Sequence, residues 1–354
     1  MTAFVAEYGL FLAKVITLIA GILLLVGGIG ALLERRREHR EGHIEVKSLN
    51  DHLEDMKTDI EAAVVDEVLA KQHEKSRRKQ EKADAKALKK TLKQGKEPEK
   101  PRKRVFVLNF DGDIHASGVE ALREEVTAVL TIADKDDEVV VRLESPGGLV
   151  HAYGLASSQL ERIKNKGIRL TICVDRVAAS GGYMMACIAD HLVAAPFALV
   201  GSIGVVAQLP NFHRLLQKHD VDYEVLTAGE YKRTLTVFGE NTDKGREKFI
   251  EELEDTHDLF KTFVAEYRPR LNVEKVATGE VWFGRRALDE QLIDAISTSD
   301  DYLFELCSEH DVFELHYEVK VGLQERLGQL AVNTSDNLLL RWWQRVMNSR
   351  MLSR

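Results

Sequence analysis

Residues 169–190 read RLTICVDRVAASGGYMMACIAD, and three textures meet within them. RLTICVDRV is apolar and β-rich, YMMACIAD runs on without Gly or Pro, and a serine with two glycines stands between. That order predicts a strand passing directly into a helix, with Ser180 at the junction where unpaired backbone N–H groups point outward. Two readings of Ser180 follow. As a helix N-cap it is a favoured residue in an ordinary place. As a nucleophile on a tight turn it would be followed by Gly181, whose N–H can donate to an oxyanion.

Outward from this stretch the same alternation recurs. RVFVLNFDG (104–112), EVVVRLESPGG (138–148) and HLVAAP (191–196) carry β-branched strand signals, while 118–133 and 149–167 are amphipathic at helical spacing. Strand alternating with helix predicts an α/β fold built on a parallel or mixed sheet. Further on, 243–271 reads as a long helix, VDYEVLTA (221–228) as strand-like, and GRRALDEQLIDAI (284–296) as a helix followed by a short strand. No repeat of fixed period is visible.

The regions before Arg104 have another character. Residues 15–33, VITLIAGILLLVGGIGALL, form an uncharged apolar run long enough for a hydrocarbon core of about 30 Å. With ERRREHR directly after it and only Lys14 before it, an uncleaved single-span anchor is expected over 1–34 rather than a cleaved leader. Residues 35–103 read as a charged basic linker unable to bury a core, although 51–75 has fair helical periodicity. Within 75–104, fourteen Lys/Arg face four acids, so a chain of net charge −8 is an acidic globular protein with a basic arm. The arm lacks aromatic residues for stacking on bases, which excludes nucleic acid as its expected partner and favours anionic lipid. The last stretch, NLLLRWWQRVMNSRMLSR (337–354), is basic, amphipathic and aromatic, suited to a membrane surface or a partner groove.

Composition removes several chemistries. Cys173, Cys187 and Cys307 stand far apart with no CxxC pair, which argues against a zinc ribbon, a redox pair or a disulfide scaffold. No HExxH is present, and GSIGV (201–205) lacks the lysine of a phosphate loop. No metal or organic cofactor is expected.

What remains points to acyl chemistry. LESPGG (143–148) closes one strand as VAASGG (177–182) closes another, and two such glycine turns can set two N–H donors around one carbonyl oxygen. Taken alone, SPGG is equally a tight turn with proline fixing φ. A serine nucleophile needs a base. His151 and His191 are nearest in sequence, but neither has an evident orienting carboxylate. The alternative is a lysine kept neutral by burial, and Lys232 in TAGEYKRTLTVFGENT (227–242) lies in a loop of largely uncharged residues.

In order, SPGG, VAASGGYMMA, APFALVGSIGVV, GEYKRTLTVFGENT and ATGEVWFGRRALDEQLIDAI resemble the motifs of the signal peptide peptidase A family of serine–lysine peptidases, and the resemblance covers nearly the whole chain. It implies a fold related to ClpP and the crotonases, made of repeated β-β-α units, with a serine peptidase domain over 104–316 and a tail over 317–354. Residue by residue it implies Ser180 as nucleophile, Lys232 as general base, Ser202 as the hydroxyl that orients the lysine, and Gly147 with Gly181 as oxyanion donors. Gln291 departs from the family, which usually has glycine there. The implied protein is a homo-oligomeric endopeptidase of the bacterial inner membrane, acting on peptides or proteins such as remnant signal peptides. Arg35, Arg36, Arg37 and Arg40 beside the apolar run place the domain in the cytoplasm by the positive-inside rule, against the family's implied role outside it. The rival readings are a crotonase-like acyl-CoA enzyme and a non-catalytic membrane scaffold.

Overall fold

Alternate residues of the central strands enter two different cores. In β2 (Arg104–Asp111), Phe106, Leu108 and Phe110 face one and Val105 and Val107 the other; in β3 (Glu138–Glu144), Val139, Val141 and Leu143 oppose Val140. Strands buried on both faces need near-continuous apolar sequence, which is why these runs lack the polar alternation of a half-exposed sheet.

The computed structural model describes residues 42–64 and 102–319, with Lys14, Thr17, Gly21, Lys79, Ala83 and Lys86 as isolated positions. One compact unit spans Ile44–Tyr317. The remaining strands are β1 (His43–Ser48), β4 (Arg169–Val174), β5 (Val177–Ala179), β6 (His191–Ala194), β7 (Leu199–Gly201), β8 (Val281–Phe283), β9 (Ala295–Ile296) and β10 (Asp311–Glu318). The helices that concern the site are α1 (Leu49–Val64), α2 (Val119–Ile132), α3 (Val150–Asn165), α4 (Gly181–Ala186), α5 (His213–Lys218), α6 (Asp243–Tyr267), α7 (Val273–Val276), α8 (Gly284–Asp289) and α9 (Ser299–Glu309).

Seven strands form a sheet in the order β1-β10-β2-β3-β4-β6-β9, and the pairs from β10 to β9 are parallel. A three-stranded sheet β5-β7-β8 lies apart, with β5 and β7 parallel and β8 antiparallel to β7. Thus β4-β5 and β6-β7 each send a first strand to the large sheet and a second to the small one. The mixed α/β architecture read from the sequence is the one observed. A single parallel bridge, Ser145 to Ala178, joins the end of β3 to the small sheet. That bridge sets the SPGG turn beside the ASGG turn.

Two expectations change. The compact unit begins well before Arg104, because β1 and α1 fall inside the stretch read as a linker. Asn50 holds them in place: its Nδ2 donates to the carbonyls of Cys307 and His310, each at 2.9 Å, and its Oδ1 accepts the Val312 N–H at 2.7 Å. The HIEVKS strand is half-exposed at the sheet edge, so its mixed polarity disguised it. Second, 221–228 forms no strand; Tyr223 instead meets Phe238 at 5.6 Å between ring centroids, and Phe238 stacks on Phe212 at 6.0 Å. Among the described residues no helix is long and apolar enough to cross a membrane. The expected span 15–33 lies outside the described residues except for Thr17 and Gly21, as does the tail from 320 onward.

Candidate active site

Ser180 leaves β5 with φ 52° and ψ −119°, a conformation that costs a non-glycine residue roughly 1–3 kcal/mol and persists only where surroundings enforce it. Here both ends of the residue are tied. Its N–H donates to the Gly201 carbonyl at 2.8 Å, and its carbonyl accepts the Met184 N–H at 2.9 Å. The side chain caps no helix N–H. The N-cap reading is therefore not what the backbone uses Ser180 for; the residue instead lines a cavity.

That cavity, about 420 Å³, is lined at one end by Ser180, Gly181 and Gly148, and along its wall by Met184, Val205, Leu259, Phe260 and Phe263. Val205 follows β7, and the last three project from α6, so the apolar wall is built by elements distant in sequence. His257, also on α6, lies 3.3 Å from the Ile203 carbonyl and ties the segment after Ser202 to that helix.

The two glycine turns touch. Gly147 has φ +89°, and a Cβ there would fall 2.8 Å from the Gly181 nitrogen and 2.6 Å from the Ala179 carbonyl oxygen. Gly181 is equally constrained, since its Cβ would meet the Tyr153 ring at 2.4 Å. Among the described residues, the N–H groups of Gly181 and Gly148 donate to no protein acceptor, and both residues line the cavity. The Gly147 N–H is spent. It donates to the buried Ser145 Oγ at 3.0 Å, whereas the N–H one residue on, at Gly148, has no protein acceptor among the described residues. Sequence alone could not separate two adjacent glycines in one turn.

Ser202 lies beside Ser180. Its N–H donates to the Glu280 carbonyl at 2.7 Å, and it too takes a positive φ, 51°. Lys232 is not brought to either serine. It is exposed in the loop before α6, does not line the cavity, and makes no side-chain hydrogen bond or ion pair among the described residues. The burial expected for it is absent in the single chain, and the strand expected before it does not form. Its neighbours are anchored: Glu230 pairs with Lys244 at 2.5 Å, and Lys244 and Lys248 stand over the Tyr231 ring at 5.9 and 5.6 Å. His151 is exposed on α3 and His191 sits on β6 against Tyr302; neither lines the cavity. No Lys, His, Asp or Glu is among the residues that do.

The arrangement can thus offer a hydroxyl on a constrained turn, two N–H donors within one cavity, and an apolar wall for a side chain. Among the described residues, none that lines the cavity could serve as a base.

Family models match the chain almost end to end: Peptidase family S49 N-terminal over residues 3–160 and Peptidase family S49 over 162–312. The chain is 51% identical over 338 residues to "Probable protease SohB" of Haemophilus influenzae, covering 95% of each. It is 47% identical over 335 residues to the protein of the same name from Buchnera aphidicola subsp. Acyrthosiphon pisum, covering 94% of this chain and 96% of that one. With "Protease 4" of Haemophilus influenzae it shares 26% identity over 206 residues, 56% of this chain and 33% of that protein.

Proposed function

The chain belongs to peptidase family S49, and from that membership we propose that it is a membrane-anchored serine endopeptidase with a serine–lysine dyad on a ClpP/crotonase-like fold. The carrying observation is the constrained Ser180 opening on a cavity that also holds two unpartnered N–H groups, of Gly148 and Gly181. In this mechanism Lys232, as free amine, takes the Ser180 proton while the oxygen attacks the scissile carbonyl. The negative charge on the tetrahedral intermediate falls between the two N–H donors, where preorganised dipoles need no reorientation. Lys232 then returns the proton to the leaving amine, and water hydrolyses the acyl-enzyme. Ser202 orients the amine.

Because Lys232 is exposed and apart from the cavity in one copy, the dyad is completed by a second copy, in a homo-oligomer. Exposed apolar residues between β7 and α6, among them Val206, Leu226 and Tyr231, supply a surface for that association. The apolar cavity wall favours a peptide with a large aliphatic or aromatic residue beside the scissile bond, which suits remnant signal peptides and other membrane-associated chains. Residues 15–33 anchor the protein in the inner membrane, and the arginines after them hold the peptidase domain in the cytoplasm. Separate phosphatase and fluorescent-protein fusions at Arg354 test the orientation, an active phosphatase with a dark fluorophore being the contrary result.

A fluorophosphonate tests the central claim. It should label the full chain in detergent at Ser180 and leave Ser180→Ala unlabelled. Labelling that survives the substitution, or none on the wild type, would favour a non-catalytic scaffold.

A further inference from the structure

Tyr153, in the first turn of α3, is fully buried and touches both glycine turns. Its hydroxyl donates to the Asp113 carbonyl at 2.7 Å and also contacts Ser145 Oγ. A phenol carries one proton and a carbonyl can only accept, so the proton between Tyr153 and Ser145 belongs to Ser145. Ser145 Oγ in turn accepts the Gly147 N–H at 3.0 Å. The directions are then fixed along the whole chain: Gly147 N–H to Ser145 Oγ, Ser145 O–H to Tyr153 Oη, Tyr153 O–H to the Asp113 carbonyl.

The far end of this chain is itself held. The Asp113 carboxylate accepts the N–H groups of His115 and Ser117 at 3.0 and 2.9 Å, and the Ser117 hydroxyl at 2.8 Å. Burial pushes the Tyr153 phenol above its ordinary range, which keeps it a donor. The ring has a second duty. The missing Cβ of Gly181 would lie 2.4 Å from Tyr153 Cγ, and the ring meets Phe110 edge-on at 6.5 Å.

We propose that Tyr153 is a positioning residue for the oxyanion site: its hydroxyl, acting through Ser145, turns the Gly147 N–H inward so that the next one, Gly148, is left for the oxyanion, while its ring sets the height of Gly181. The proposal deepens the peptidase reading and rests on it. Tyr153 touches no reacting atom. Its effect is on geometry alone, and misplacing a catalytic group by about 1 Å can cost on the order of a hundredfold in rate.

The test uses the full chain in detergent micelles with Tyr153→Phe, which keeps the ring, and Ser145→Ala, which keeps the tyrosine. Two readouts are taken. Hydrogen exchange at the Gly147 amide reports the chain independently of catalysis, and the second-order rate of fluorophosphonate labelling at Ser180 reports the oxyanion site. Both single variants should speed Gly147 exchange by about tenfold or more, the scale of one lost hydrogen bond, and slow labelling by on the order of tenfold to a hundredfold. The double variant should be no slower than the slower single one, since both changes cut one chain. Unchanged exchange at Gly147 would overturn the hydrogen-bond chain. Faster exchange with unchanged labelling, or losses that add in the double variant, would overturn the positioning role. A wild type that does not label would overturn the peptidase reading and this role with it, while exchange would still judge the chain.

Discussion

Ser180 and Ser202 occupy matching places at the ends of two neighbouring parallel strands. Ala179 of β5 pairs with Gly201 of β7, and the next residue on each strand is the serine. The Ser180 N–H donates to the Gly201 carbonyl at 2.8 Å, and both serines turn to positive φ, 52° and 51°. The two serines therefore leave the small sheet side by side, and Ser180 lines the cavity.

This pairing makes the second hydroxyl testable apart from its backbone. Ser202→Gly relieves the positive φ and removes the hydroxyl; Ser202→Ala removes the hydroxyl and keeps the strain. If the hydroxyl orients the base, both lose about tenfold to a hundredfold in kcat/KM on a fluorogenic peptide, although the glycine variant is at least as stable as wild type. A glycine variant with full activity would reduce Ser202 to a turn residue.

The separation of Lys232 from Ser180 predicts complementation. Ser180→Ala and Lys232→Ala should each be inactive, with Lys232→Ala unfolding at the wild-type temperature because the side chain is exposed and unpaired. Co-expressed in equal amounts, the two should regain about a quarter of the wild-type activity, the share of sites in a head-to-tail ring that pair an intact serine with an intact neighbouring lysine. No recovery, beside an active wild type, would mean that the lysine reaches the serine of its own chain.

A buried carboxyl predicts a stability slope unrelated to catalysis. Glu125 on α2 is 2% exposed; one oxygen accepts the Tyr317 N–H at 2.9 Å and the other has no partner. Burial pushes it up from 4.5 to about 7. With the folded value raised, the stabilisation is complete below about pH 4.5 and is lost as the pH climbs through about 7. Glu125→Gln keeps an acceptor for Tyr317 and removes the proton, so in urea unfolding it should gain about 1–3 kcal/mol over wild type at pH 8 and little at pH 5. His316 Nδ1 lies 3.7 Å from the oxygen that accepts the Tyr317 N–H. Equal pH slopes in the two proteins would contradict the assignment.

Gln291 takes φ 64° in the structure. Its N–H and the Leu288 carbonyl close the end of α8 at 3.0 Å, a place where left-handed backbone favours glycine. Gln291→Gly should therefore raise stability by about 0.5–1 kcal/mol, the strain relieved less the added freedom of the unfolded chain, with labelling at Ser180 unchanged. Calorimetry showing a lower Tm would mean that the glutamine side chain contributes more than its backbone costs.

The fold was legible where the chain speaks locally. Val139–Leu143 and Leu170–Val174 announce buried strands by composition, and Ser180 with its glycines announces a turn by spacing. Tyr153 was not legible, because its meaning comes from Asp113, Ser145 and Gly181 meeting it from three other elements. The loop before Lys232 was misread: alternation in VDYEVLTA imitates a strand, yet among the described residues no strand pairs with it. At β1 the error ran the other way, since a real edge strand exposes enough of HIEVKS to pass for tether.

The place of β10 has a consequence for the order of events during synthesis. This last strand of the sheet lies between β1 and β2, with Asp311 opposite Arg104, and Asn50 bonds to residues on both sides of the turn into it. Until the ribosome has delivered residues beyond 311, β2 has an open edge and β1 has no partner. The nascent chain must carry an unpaired strand edge through most of its translation, a state prone to wrong pairing. Truncation just before β10 would therefore leave β1, more than two hundred residues earlier, without its neighbour in the sheet.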